Sequence, residues 1–362
     1  MMIPEKINKP QNKILKFSVA TVKLVLLISI IMLILVLIPV KERTYTSKGD
    51  IIEAASIINI NELGKEFRII DNGRPFYFTT VKTGSITNTL SFLYRDFFND
   101  SKIEDMQESY LSAFDSLRNN YFISTQSKDN VLAALYTFGS TKRSFQVIPV
   151  IKMIYEETKT GTAFLEGDQL LSVDNKVVSS TKEYLQQKHS WKIKENDTHY
   201  FQVQRGKSEL VIPVTYTEKN KDDFLTGIQP YDSVLFNDIV NKSVISLKGY
   251  EGNSAGLMLT LELLRLTTGE DFSKGKKIAG TGTMNADGTV GEIGSMDYKI
   301  KTADKNDVDI YLVPKYVPGL KESYEKSNEY EALRTAENIG TKMKIIPVYS
   351  VNDALIKLRE LK

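Results

Sequence analysis

The feature that most constrains this chain is a single long apolar run near its start, residues 17–40, interrupted only by Lys23. A helix rises about 1.5 Å per residue, so a run of that length is expected to cover a hydrocarbon layer of roughly 30 Å with some tilt. Lys23 can then extend its amine to the headgroups. Lys6, Lys9, Lys13, Lys16 and Lys23 lie at or before the run, whereas Lys41, Arg43 and Lys48 beyond it are accompanied by Glu42 and Asp50. That bias favours an N-terminus on the inside. The sequence therefore predicts a cytoplasmic stretch at 1–16, a single-pass transmembrane anchor at 17–40, and the remainder outside the cytoplasmic membrane. A cleaved signal peptide is the competing reading, but the run is long for one and no Ala-x-Ala-like site comes after Val40.

With 362 residues the chain has room for two modest domains after such a segment. The 47 basic and 45 acidic side chains nearly cancel, which leaves no basic field of the kind a nucleic-acid binder presents. Phe67 to Val81 reads as two short strands around Asp71-Asn72-Gly73, a hairpin signal. Residues 104–117 carry Met106, Tyr110, Ala113, Phe114 and Leu117 at helical spacing, and Asp129 is placed to cap a second helix bearing Val131, Leu132 and Leu135. From about Phe145 the pattern shifts to short β-branched segments at 147–154, 169–173, 200–204 and 210–214. After a polar linker at 218–223 the pattern becomes α/β. Its strands are expected at 243–247, 310–313 and 344–348, and its helices at 255–266 and 351–361.

Candidate chemistry emerges by elimination. The chain has no cysteine, which removes disulfides, thiolate metal sites and a cysteine nucleophile. Its two histidines, His189 and His199, both fall in the β-rich segment, without a His-Glu-x-x-His or similar ligand spacing. A Ser-His-Asp hydrolase and a zinc hydrolase are both disfavoured. Neither Gly206-Lys207-Ser208 nor Gly275-Lys276 has the upstream glycine of a phosphate-binding loop, so no ATP hydrolysis is expected. There remains Gly252-Asn253-Ser254-Ala255-Gly256-Leu257, a serine beside the start of an amphipathic helix. Unpaired N–H groups and the positive dipole end there can stabilise an oxyanion, although a serine at such a place can also simply cap the helix.

A second cluster lies downstream: Ala279-Gly280-Thr281-Gly282-Thr283, then Asp287-Gly288-Thr289-Val290-Gly291, then Gly294-Ser295-Met296-Asp297-Tyr298-Lys299. Together with Ser254, and with Ile310-Tyr311-Leu312-Val313-Pro314 behind them, these runs resemble the proteolytic domain of the Lon family. The resemblance implies Ser254 as nucleophile, Lys299 as general base and Thr281 as a supporting residue near the lysine. Asn253 stands where that family usually has proline. A base must be neutral, so Lys299 is expected to be buried.

Leu165-Glu166-Gly167-Asp168-Gln169-Leu170-Leu171-Ser172-Val173-Asp174 resembles the central strand of PDZ domains, and Val203-Gln204-Arg205-Gly206 their last strand. Such domains capture extended peptides by adding a strand to a sheet edge. Phe76-Tyr77-Phe78-Thr79-Thr80-Val81 resembles the first strand of the catalytic domain in the membrane-anchored, PDZ-containing Lon-like serine proteases of Gram-positive bacteria. The implied class is α+β: an N-terminal transmembrane helix, then a Lon-type proteolytic domain (residues 41–138 and 218–362) interrupted by a β-rich PDZ domain (139–217). The implied activity is ATP-independent hydrolysis of exported proteins or peptides by a Ser-Lys dyad, with no cofactor and no metal. The implied partners are peptide substrates held by the PDZ domain, the membrane, and further copies of the chain in rings. A catalytically silent, membrane-anchored PDZ adaptor is the alternative, and a signal-peptidase-like enzyme is disfavoured because Ser254 lies far from the anchor.

Overall fold

The computed structural model describes residues 19–98, 100–105, 113–154, 163–191, 194, 196–216, 227–247, 250, 252–319 and 323–361. The expected cytoplasmic stretch at 1–16 and the linker at 218–223 lie outside these. The chain divides into two compact units, residues 1–47 with 82–107, and residues 48–81 with 108–362.

The first unit holds helix α1 (Val19–Leu37), the start of strand β1 (Pro39–Glu53), the end of strand β2 (Tyr77–Asn88), helix α2 (Thr89–Phe98) and strand β3 (Lys102–Asp105). α1 stops short of Pro39, because proline lacks the N–H that a helix needs and pushes the residue before it out of the α region. The chain turns instead, and the carbonyl of Ile38 accepts the N–H of Thr89 at 2.9 Å. The anchor expected at 17–40 would run straight across that proline. Among the described residues no helix is long and apolar enough to cross a membrane. The single-pass anchor, and with it the expected placement outside the cytoplasmic membrane with the N-terminus inside, is corrected accordingly. β1 and β3 pair antiparallel from Arg43↔Asp105 to Thr46↔Lys102. Lys41 and Arg43 both reach Asp105 there, exposed pairs whose attraction solvent screens.

In the second unit, β10 (Ile278–Gly280) lies parallel to both β2 and β13 (Ile310–Pro314), and β13 runs parallel to β14 (Lys344–Val348). Helices α5 (Gly256–Thr268), α6 (Met296–Lys305), α7 (Asn328–Ile339) and α8 (Val351–Arg359) alternate with these strands. The expected α+β class is thus corrected to mixed α/β, since parallel strands need crossover connections and helices supply them here. A short antiparallel pair, β11 (Thr283–Met284) and β12 (Val290–Gly291), comes after β10. The other sheet has the order β8-β7-β5-β4-β9, formed by β4 (Phe145–Ile154), β5 (Gln169–Val173), β7 (Thr198–Arg205), β8 (Ser208–Thr215) and β9 (Ile228–Phe236). β6 (Lys176–Val177) pairs with β5 and leads into helix α4 (Thr181–Ser190). β4, β5, β7 and β8 fall where the β-branched alternation puts them, whereas β6 and β9 lie outside the expected segments.

Four local expectations fail. Residues 67–76 form no strand, so the hairpin around Asp71-Asn72-Gly73 is absent. The helix expected at 104–117 begins inside β3, and residues 106–112 lie outside the described set. Asp129 caps nothing: α3 (Ala113–Phe138) runs through it as one helix. The strand expected at 243–247 is a 3-10 turn, Lys242–Val244, with one bridge from Ile245 to Ile58.

α5 is the spine of this unit, with every residue but Thr268 buried. Its polar pair is decisive for the 71–76 segment. Glu262, with no exposure, accepts the N–H of Phe76 at 3.0 Å and a guanidinium N–H of Arg265 at 2.6 Å. Arg265, 2% exposed, donates onward to Asp71 at 2.6 Å and to the carbonyl of Asn72 at 2.9 Å. The Asp-Asn-Gly run is thereby folded onto a helix and delivers Tyr77 to the start of β2. Removing one partner strands a buried charge, so Arg265→Ala or Glu262→Ala is expected to destabilise the protein by about 3–5 kcal/mol. Chemical denaturation measures this, and a double Glu262→Leu/Arg265→Met variant should recover most of the loss.

Candidate active site

Three segments of the second unit converge. Ser254 lies in the turn that enters α5, which Gly252 opens with φ +90°, a left-handed conformation that suits glycine. The carbonyl of Asn253 accepts the N–H of Gly256 at 3.3 Å and closes that turn. The residue capping α5 is Ala255, with no side-chain cap bond. Ser254 is therefore not a helix cap, and its hydroxyl is directed elsewhere.

Thr281 comes directly after β10 and is fully buried. Its N–H donates to Leu312 of β13 at 3.0 Å, which fixes it at the end of the parallel sheet. Its hydroxyl donates to the Ser254 carbonyl at 3.0 Å, and the next residue, Gly282, donates its N–H to the same carbonyl at 2.8 Å. In return the Gly282 carbonyl accepts the N–H of Leu257 at 3.1 Å. Gly280 permits this approach: a Cβ there would lie 2.6 Å from Met258 Sδ and 2.8 Å from the Leu312 carbonyl.

Lys299 comes from the first turn of α6, whose preceding residue, Ser295, has the left-handed φ of +56°. The same helix packs Met296, Ile300 and Ala303 against Ala279, Tyr311 and Val313. That apolar face carries the lysine inward, where it is 4% exposed. Its Nζ lies 2.8 Å from Ser254 Oγ and 3.1 Å from Thr281 Oγ1. No acidic side chain pairs with it among the described residues. Burial alone lowers its pKa from 10.5 to about 8, because an apolar surrounding penalises the ammonium. Ser254 itself is half-buried. The N–H groups of Ser254 and Ala255 make no backbone hydrogen bond among the described residues and stand at the positive end of α5.

The structure thus brings together all three residues singled out in the sequence, Ser254, Thr281 and Lys299. It places His199 apart from them on β7, paired with Asp174 and stacked on Trp191 at a centroid distance of 4.4 Å. His189 lies on α4. No cluster of three or more metal-ligating side chains occurs among the described residues. The sequence divides α3 into two helices at Asp129 and gives it no part in the site, yet its Asn130 donates to the carbonyl of Met284 at 2.8 Å beside the Thr281 turn. Its neighbour Asp129 takes Lys242 at 2.8 Å ahead of the Ser254 turn. Polar residues inside an apolar helical run were the available signal. The chain matches no protein-family model and no curated protein.

The site makes a signed pH prediction. With a folded pKa of about 8, the neutral fraction of Lys299 rises roughly tenfold per pH unit below 8 and levels off above it. A reaction that uses the neutral amine should follow the same curve in kcat/KM. Between pH 8 and 10.5 the unfolded chain binds more protons at this position than the folded one, so stability should also rise with pH across that window. Lys299→Met removes the buried ammonium and is expected to raise stability at pH 7 by about 1–3 kcal/mol. A Lys299→Met variant less stable than the parent at pH 7 would contradict this account.

Proposed function

We propose that the protein is an ATP-independent serine endopeptidase of the Lon type, with Ser254 as nucleophile and Lys299 as general base. The observation that carries this reading is the 2.8 Å contact between a half-buried serine hydroxyl and a buried lysine amine that no acid among the described residues compensates. The resemblance of the surrounding motifs to Lon-type proteases supports it.

The chemistry derives from the geometry. Neutral Lys299 takes the Ser254 proton as Oγ attacks a peptide carbonyl, so the hydroxyl becomes a nucleophile without a histidine. The N–H groups at the start of α5 are available for the oxygen that gains charge. Lys299, now protonated, returns that proton to the departing amine and leaves an acyl-enzyme on Ser254. Water, activated by the same amine, then hydrolyses the ester. Thr281 has two tasks. Its hydroxyl accepts from Lys299 and aims the amine, and its own proton goes to the Ser254 carbonyl, which holds the serine backbone in place. The substrate class is extended or unfolded polypeptide, since the nucleophile must reach a backbone carbonyl.

The decisive experiment is to incubate the purified chain with unfolded β-casein, without nucleotide, beside Ser254→Ala. Cleavage by the parent and none by the variant is the expected outcome, and identical peptide maps from the two proteins would remove the protease reading. Lys299→Arg keeps a charge that cannot be lost and should be inactive. Thr281→Val keeps the shape but not the hydroxyl, and it is expected to lower kcat about tenfold or more with a smaller change in KM. A full-rate Thr281→Val enzyme would show that the lysine needs no such positioning.

A further inference from the structure

The β-rich insert resembles a domain that binds peptides by adding a strand to a sheet edge, yet the edge in question is taken. β4 pairs with β5 at Val150↔Gln169 on one side. On the other, β9 runs antiparallel to it from Phe145↔Phe236 to Ile154↔Ile228. β9 is also held from beyond. Its Asp232 carboxylate accepts the N–H of Thr181, at the start of α4, at 2.6 Å, and the Asp232 carbonyl accepts Gln126 Nε2 of α3 at 2.8 Å. Tyr231 packs with Met153 and Phe122, and Val234 with Ala133 and Ala286. The strand therefore lies between β4 and α4 and fills the edge of β4 that a peptide strand could otherwise join.

Beyond β9 the chain leads to the nucleophile, and it is held on the way. Asn237 donates to the Ser144 carbonyl at 3.1 Å, Lys242 pairs with Asp129, and residues 237–253 alone separate the strand from Ser254. We propose that β9 is a built-in strand ligand of the insert, and that this docking holds the segment leading to the Ser254 nucleophile instead of leaving the edge open for substrate. The proposal rests on the protease reading for its functional half. Its structural half, a closed β4 edge, stands independently. The insert then contributes to the rate of bond-breaking on every substrate, long or short, and not to the capture of long ones.

Because the chain has no cysteine, one introduced pair is diagnostic. Gln146 and Leu235 face each other across β4 and β9, and both are exposed. Directly opposed residues in an antiparallel pair have Cα atoms about 4.5–5.5 Å apart, within the range a disulfide spans. The full-length Gln146→Cys/Leu235→Cys protein should form the bond under mild oxidation. Oxidised and reduced forms should then cleave β-casein and a short unstructured peptide at rates within about twofold of each other. Amide exchange gives a second reading on the unmodified chain, with residues 228–236 expected to be protected. A pair that stays reduced, together with fast exchange at 228–236, would refute the docking. Loss of casein cleavage by tenfold or more on oxidation, with the short peptide spared and casein restored by reductant, would show that substrate enters the edge and overturn the proposal. No cleavage by the parent chain despite bond formation and protection would sink the protease reading and leave the closed edge standing. For the positioning role, Asp232→Ala should lower kcat on the short peptide several-fold with KM unchanged, and Asp232→Asn, which keeps the acceptor oxygen, should restore it. Equal KM effects without a kcat change would assign Asp232 to substrate binding.

Discussion

A lysine amine withdrawn from water and set 2.8 Å from a serine oxygen is the arrangement on which the rest of this structure depends. Taking an ammonium out of water is unfavourable, so the surroundings must be rigid enough to impose it. α6 does this by packing Met296, Ile300 and Ala303 into the same core that Tyr311 and Val313 of β13 enter, which leaves the lysine no solvated alternative. The serine is fixed from the opposite side. Its carbonyl is gripped by the Thr281 hydroxyl and the Gly282 N–H, so both members of the pair are referred to the end of a single parallel strand, β10.

The same dependence extends outward. Parallel strands place their carboxyl ends together, and loops leaving them converge there, which is why β10 supplies Thr281 and β13 supplies the Leu312 carbonyl that anchors it. α5 provides the opposing wall. Its buried Glu262 and Arg265 tie down residues 71–76 and set the start of β2, the strand beside β10. α3 completes the frame from outside by holding β9, the Lys242 turn and β11 through Gln126, Asp129 and Asn130. The Ser254–Lys299 geometry is therefore set by packed helices and the end of β10 and not by the Ser254 turn alone.

Where local pattern and tertiary context agree, the sequence is readable. The α5, β13, β14 and α8 segments have apolar periodicity long enough to declare their type, and β4, β5, β7 and β8 alternate clearly. The failures share one cause, namely short segments whose conformation is decided by a distant partner. Asp71-Asn72-Gly73 has hairpin chemistry, but Arg265 claims its oxygens and no strand forms at 67–70 to pair back on β2. Residues 243–247 are apolar enough for a strand, yet a 3-10 turn forms and only Ile245 finds a bridge. The apolar run at 17–40 is a different case, because hydropathy alone gives no weight to Pro39, a stereochemical stop that is visible in the sequence.

The sequence by itself determined the chemical inventory: no cysteine, two histidines away from any ligand motif, and a serine, a threonine and a lysine in three glycine-rich runs. Residue identity limits which reactions are available, and no folding is needed to see that. It also determined the type of segments such as α5, α8, β4 and β14, because side-chain periodicity is local. Only the tertiary structure decided that Ser254 is not a cap, that Lys299 is buried with no counter-ion among the described residues, and that β9 closes the edge of β4. Each of these is a relation between residues far apart in the chain, set by which surfaces exclude water together. No window of sequence contains both sides of such a contact.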